Sequence, residues 1–260
     1  YIATCGISQH FGIINMLEIN KIYQGDCLEL MKFIDDKSID MILCDLPYGT
    51  TACKWDNVIP FEPLWTQYKR IIKDNGAIVL FGSEPFSSYL RLSNIKDFKY
   101  DWIWNKKKAG NIFLAKFQPM KTHEIISVFN AKNYYPIKTL RDRVKQSKNY
   151  GTGQAMGGNK IKEDKLYTYT DKNPISILEF SNASQLGKQH PTQKPVALFE
   201  YLIKTYTNEG ELVLDNCIGS GTTAIACLKT NRNFIGIELE PKYVEIANRR
   251  IEEFKQQMVL

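Results

Sequence analysis

At 260 residues and 43% apolar content, the chain is long enough for one large domain, or one domain with a substantial insertion, around a sizeable core. It contains no apolar run near the roughly 18 residues of a membrane span, no signal-peptide pattern and no Cys-x-x-Cys pair, so the cytoplasm is the expected compartment and a zinc site or disulfide framework is not expected. The formal charge of +6 is concentrated, because residues 131–189 hold nine Lys and two Arg against five acidic residues and the remainder is neutral.

Residues 1–15 lack an initiator methionine and read as a leader or N-terminal extension, since Met16 precedes the first convincing strand. Apolar runs rich in β-branched and aromatic residues follow at Lys21–Gln24, Asp40–Cys44, Ala77–Phe81, Tyr100–Trp104, Ile125–Phe129, Glu211–Leu214 and Phe234–Ile237. Helical spacing separates several of them, as in Pro63–Lys73, which ends before Asn75-Gly76, and Lys242–Phe254. The alternation predicts an α/β fold with a mostly parallel sheet of seven strands covered by helices on both faces. Residues 131–189, rich in Lys, Asn, Gly and Tyr, read as an irregular insertion. Its excess of cations fits either a solvated loop face or a surface for a polyanion.

Two stretches carry chemistry. Asp45-Leu46-Pro47-Tyr48-Gly49 directly follows a buried apolar run, where an ordinary turn would account for the proline and glycine but not for the acid and aromatic. Residues 211–230, ELVLDNCIGSGTTAIACLKT, read as a strand ending at Asp215, a turn of small residues and a helix opening at Thr222, so that backbone N–H groups can face a ligand. Gly219 and Gly221 followed by Ala224 satisfy a loose dinucleotide fingerprint, and Glu238 after the next strand is placed to accept ribose hydroxyls. By itself this pattern indicates an adenosine-containing cofactor and leaves nicotinamide and S-adenosylmethionine open.

The order of the motifs separates those two. DLPYG at 45–49, HPTQKP at 190–195, DNCIGSGTT at 215–223 and IGIELEPKYVEIANRRI at 235–251 together resemble the β class of DNA amino-methyltransferases, in which the catalytic half precedes the cofactor half. The resemblance covers roughly 17–130 and 188–254. It implies a Rossmann-like fold with a catalytic half at 16–130, a target-recognition insertion at 131–189 and a cofactor half at 190–260. It implies S-adenosylmethionine as cofactor without a metal, DNA as partner, a cognate restriction endonuclease alongside, and a monomer or homodimer.

Carried over by position, the resemblance assigns catalysis to Asp45, Leu46, Pro47 and Tyr48. Cofactor contacts fall on Asp26, Cys27, Asp45, His190, Thr192, Lys194, Asp215, Asn216, Cys217, Ile218, Gly219, Ser220, Gly221, Thr222, Thr223 and Glu238. Asp26 is equally readable as a helix N-cap, and Lys194 as a solvated side chain beside two stiffening prolines. DNA contacts are implied for Lys106, Lys107, Lys108, Lys145 and Lys148. Two departures from the family pattern stand out: Leu46 replaces a proline, and Asn216-Cys217 replace Pro-Phe. The Asp45 carboxylate and Leu46 carbonyl would hold both hydrogens of an exocyclic amine. Pro47 would fix the turn, and Tyr48 would stack on a flipped base through its ring, not its hydroxyl. An acid at position 45 implies adenine N6, with cytosine N4 as the alternative and an inactive DNA-binding relative as a further one.

Overall fold

The computed structural model describes residues 16–49, 57–148, 166–182 and 193–259, so the 1–15 extension, His190 and Thr192 lie outside the described residues. β1 (Lys21–Gln24) runs into a single helical turn, α1 (Cys27–Leu30), capped by Asp26, whose Oδ1 accepts the Leu28 N–H at 2.7 Å. β2 (Ile39–Cys44), α2 (Phe61–Ile71), β3 (Ile72–Gly82), α3 (Phe86–Ser93), β4 (Phe98–Asn105) and β5 (His123–Phe129) complete the first half. After the insertion come α4 (Val196–Tyr206), β9 (Leu212–Asp215), α5 (Thr222–Lys229), β10 (Asn233–Glu238) and α6 (Pro241–Val259).

All seven strands expected from the sequence are present. β3 starts earlier than expected, at Ile72, so α2 stops at Ile71. Strand order is β1-β10-β9-β2-β3-β5-β4-β8, where β8 (Ile177–Glu179) is an eighth strand contributed by the insertion and parallel to β4. β5 runs antiparallel to both β3 and β4, and every other pairing in this eight-stranded sheet is parallel. The insertion is not wholly irregular either, since β6 (Thr139–Lys148) pairs antiparallel with β7 (Leu166–Lys172). The only alternation that marks this ribbon is Tyr167-Thr168-Tyr169-Thr170, a short one on a mostly exposed strand, and the ladder shifts register between Leu140 and Lys145.

β2 shows why the sheet needs two helical layers. All six of its residues are buried, and the pleat sends Met41 and Leu43 to one face and Ile42 and Cys44 to the other. The first face packs against Leu198, Leu202 and Ile203 of α4, Ala224 and Cys227 of α5 and Ile251 of α6. The second meets Leu64, Trp65, Tyr68 and Ile71 of α2, which repeat at helical spacing, with Phe86 and Leu90 of α3. The carboxyl ends of the parallel strands β10, β9, β2 and β3 therefore share one sheet edge. Antiparallel β5 brings its amino end to the same edge, where Glu124 stands opposite Trp104. Among the described residues no helix is long and apolar enough to cross a membrane.

Candidate functional site

A cavity of about 520 Å³ opens along this edge, within the range of small-molecule sites. Its lining brings together residues far apart in the chain: Asp45 to Tyr48 after β2, Asp215 to Ser220 from the last residue of β9 onward, Glu238 at the end of β10, Asp26 and Cys27 before β2, and Lys194 before α4. Of the residues assigned by sequence, all of these meet at one site, joined by Thr222 and Thr223 at the start of α5.

The catalytic corner is a charged cluster. Asp45 Oδ1 accepts the Tyr48 hydroxyl at 2.6 Å, and Oδ2 lies 2.5 Å from Lys194 Nζ. Lys194 is 7% exposed, which excludes the solvated reading, and it also stands 3.3 Å from Glu124 Oε2. Glu124 Oε1 meets Lys106 Nζ at 2.6 Å, so two carboxylates and two ammoniums neutralise one another inside the pocket wall. Burial pushes the Asp45 carboxyl up, opposed by the neighbouring Lys194. Against its own burial, Glu124 is held below its ordinary value by Lys194 and Lys106. Glu124 had no signal in the sequence: only the β4–β5 register places it beside Lys106, and only the fold places it beside Lys194.

The Tyr48 ring packs on Phe86 at 5.1 Å between centroids, while its hydroxyl is committed to Asp45. The ring-only expectation for Tyr48 is therefore incomplete. Leu46 is 3% exposed and lies in the core layer beneath α2, which accounts for an apolar side chain at that position.

On the cofactor side, Asp215 is buried, accepts the Cys217 N–H at 3.1 Å and is hydrogen-bonded by the Thr223 hydroxyl. Burial pushes its carboxyl up to about 7 despite those donors. Glu238 is fixed by two main-chain amides, Gly219 N–H at 2.8 Å and Glu240 N–H at 2.9 Å, which leaves lone pairs on both oxygens for hydroxyl donors. Gly219 has φ 54° and open space where a Cβ would stand. The cavity volume, the open glycine turn and the pre-oriented Glu238 carboxylate fit an adenosine-bearing ligand such as S-adenosylmethionine.

The departure at Asn216-Cys217 has a structural reason. Asn216 is 2% exposed and its Oδ1 accepts the Tyr68 hydroxyl at 2.6 Å, so the buried amide is satisfied from α2. The Asn216 Nδ2 also reaches the Cys217 sulfur at 3.6 Å. Burial pushes Cys44 up to about 12, so it stays a protonated packing residue and not a nucleophile. Asp26 makes the N-cap bond and also lines the cavity, so the two readings of it are compatible.

Gly221 has φ 83°, and a Cβ there would stand 2.9 Å from the Ala247 Cβ of α6. Arg250, also on α6 and unmarked in the sequence, hydrogen-bonds the Ser220 carbonyl and reaches the Ser220 hydroxyl at 3.0 Å. The turn is thus clamped from below. Gly221→Ala should cost roughly 1–3 kcal/mol through backbone strain, before any displacement of α6 is counted. Thermal unfolding should show a melting temperature several degrees lower, and an unchanged value would refute the clamp.

The cationic residues assigned to DNA divide. Lys106 is a pocket-wall residue paired with Glu124, and so is not free to reach phosphates. Lys107, at φ 57°, pairs with Glu179 at 2.8 Å, whereas Lys108 is exposed. Lys145 is exposed on β6, and Lys148 ends that strand with its side chain outside the described residues.

Comparison with known proteins agrees with this geometry. The profile described as DNA methylase matches residues 39–249. The type II methyltransferase M.HpaI of Haemophilus parainfluenzae is 30% identical over 88% of this chain and 73% of its own. The DNA adenine methyltransferase YhdJ of Escherichia coli (strain K12) is 28% identical over 90% and 83%. The crystal structure of an M1.HpyAVI–SAM complex superposes with a TM-score of 0.59 at 27% identity, covering 88% of this chain and 98% of that one. The cytosine-N4-specific PvuII DNA methyltransferase shares the fold at 16% identity, with a TM-score of 0.62 over 94% and 93%. The charged corner after β2 and the glycine turn after β9 both fall within the matched span, and the chain belongs to the N6/N4 DNA methylase family.

Proposed function

We propose that the protein methylates the N6 amine of an adenine flipped out of DNA, with S-adenosylmethionine as cofactor. The observation that carries this reading is Asp45, an acid at the end of a central strand, facing the same cavity as the glycine turn and Glu238. Glu238, Asp215 and the 216–220 turn would hold the cofactor, which supplies an electrophilic methyl group on a sulfonium. The Asp45 carboxylate and the Leu46 carbonyl accept the two amine hydrogens and turn the nitrogen lone pair away from the ring. As positive charge passes from the sulfonium, released as a neutral thioether, to that nitrogen, the fixed carboxylate stabilises it, and the methylated amine then gives up a proton to water. Tyr48 holds one carboxylate oxygen in place, and Glu124 draws off part of the charge of Lys194, which leaves Asp45 available to the amine.

Incubating the protein with DNA and S-adenosylmethionine, followed by digestion to nucleosides and mass spectrometry, should yield N6-methyladenine. N4-methylcytosine, or no product from protein that binds the cofactor, would overturn the reading. Tyr48→Phe should lower turnover by about tenfold or more, because a hydrogen bond to a charged group contributes roughly 1.5–3 kcal/mol. Undiminished turnover would return Tyr48 to a role played by its ring alone.

The insertion is proposed as the target-recognition region, with its phosphate contacts on the exposed cations. The type II naming of the relatives supports a place in restriction–modification beside an endonuclease of matching specificity. If Lys145 and Lys148 track phosphates, replacing both with alanine should reduce the salt dependence of DNA affinity, since log K changes by about 0.9 per phosphate neutralised. An unchanged slope across a salt series would remove them from the footprint.

A further inference from the structure

We propose that Phe113 and Phe117 form an apolar wedge that enters the DNA base stack beside the nucleotide presented to Asp45. The inference rests on the proposed adenine methylation. All residues from 109 to 120 are exposed, among them Ile112, Leu114 and Met120, with Phe113 94% and Phe117 84% exposed. Phenylalanine rings are ordinarily buried, so a tip that presents two of them together calls for an occupant.

The tip is folded. Lys106 N–H donates to the Thr122 carbonyl at 2.8 Å and Gly110 N–H to the Lys121 carbonyl at 2.9 Å, which carries the β4–β5 ladder beyond the sheet edge. A 3-10 turn at Ile112–Leu114 then packs the chain back, with Phe117 N–H bonded to the Leu114 carbonyl at 2.9 Å. The protrusion rises from the pocket itself, because Lys106 and Glu124 at its base are cavity walls.

Charge selects the occupant. Residues 106–122 contain five lysines and no acidic residue. Lys108 and Lys116 make no ion pair among the described residues, and Lys116 directly precedes Phe117. Aromatic rings interleaved with free cations suit a polyanion with stacked apolar faces. Apolar side chains that enter base steps lower the cost of unstacking, and a base leaving the duplex for the cavity opens such a step.

The test uses a duplex containing the methylated site, found first by sequencing DNA modified by the protein, with 2-aminopurine at the target position. Wild-type protein should raise the fluorescence as the base unstacks. Phe113→Ala/Phe117→Ala should lose most of that rise and methylate the matched duplex at least tenfold more slowly. S-adenosylmethionine binding by calorimetry should be unchanged. Placing a mismatch opposite the target adenine, which makes flipping easier, should restore most of the lost rate. Wild-type fluorescence and rate in the double variant, or a deficit equal on matched and mismatched DNA, would overturn the wedge. So would conversion of a dimer to a monomer in sedimentation, which would make the tip a self-association surface. Failure of the wild type to methylate any DNA would instead remove the reading on which the wedge rests.

Discussion

Replacing Asp45 with alanine should reduce methyl transfer by roughly a thousandfold, the upper end of what losing one pre-oriented electrostatic group costs. Cofactor affinity should stay within about tenfold, or 1.4 kcal/mol, because the Glu238 and glycine-turn contacts are untouched. The structure also predicts the side effect. Without Asp45, Lys194 keeps only Glu124 as counter-charge among the described residues, and the Tyr48 hydroxyl loses its acceptor there. Some loss of stability is therefore expected, and Asp45→Asn serves as the companion variant because it keeps the shape and one acceptor while removing the charge. Both should be inactive, with single-turnover rates and calorimetry separating chemistry from binding. Substantial turnover in either variant would eliminate the carboxylate as the group that stabilises the charged amine.

Lys194→Met has the second largest expected effect, and its signature lies in the pH profile. The ammonium lowers the proton affinity of Asp45 and of Glu124, both of which burial raises. Removing it leaves two buried carboxylates near each other with one remaining cation, so one of them takes up a proton. Catalysis needs Asp45 ionised, so the acid limb of the turnover profile should move to higher pH, with the deficit largest at low pH and shrinking as pH rises. Breaking a buried pair also costs about 3–5 kcal/mol of folding stability, so the profile is read at a temperature where the variant stays folded, and below the shifted limb turnover should fall about tenfold per pH unit. A variant with lower turnover but an unshifted acid limb would place Lys194 outside the electrostatics of Asp45, as a cofactor contact alone. Glu124→Gln acts in the opposite direction on the same profile, because Lys194 is then left wholly to Asp45 and the acid limb moves down.

Much of this architecture was legible because its signals are local. Six of the seven apolar runs mark strands with buried residues, the edge strand β1 being only half-buried, and Asp45, Asp215 and Glu238 follow from where those runs stop. What the sequence withheld is of two kinds. Glu124, Lys106 and Lys194 form their cluster through strand register and through the return of the chain after the insertion, and no periodicity records such a meeting. Arg250 and Tyr68 likewise work through partners on other elements, Ser220 and Asn216. The second kind is the β6–β7 pair, whose one aromatic alternation, Tyr167 and Tyr169, is short and set among charged residues, so that it resembles a polar loop when read in one dimension.

The pairing of β2 with β9, Met41 against Val213 and Ile42 against Leu214, bears on how the chain is made. As the polypeptide leaves the ribosome, β2 can gain β3 at once, but its other edge stays open until Leu212–Asp215 have been synthesised. Through that interval a strand that is apolar except for Asp40 carries a row of unpaired backbone groups, the arrangement most prone to pairing with another chain. The two halves of the reaction centre therefore come together late, because β9, translated after the insertion, both covers the open edge of β2 and brings the glycine turn beside Asp45. A nascent chain arrested within the insertion would carry Asp45, Lys106 and Glu124 without Lys194 and without the glycine turn, two buried carboxylates sharing one ammonium.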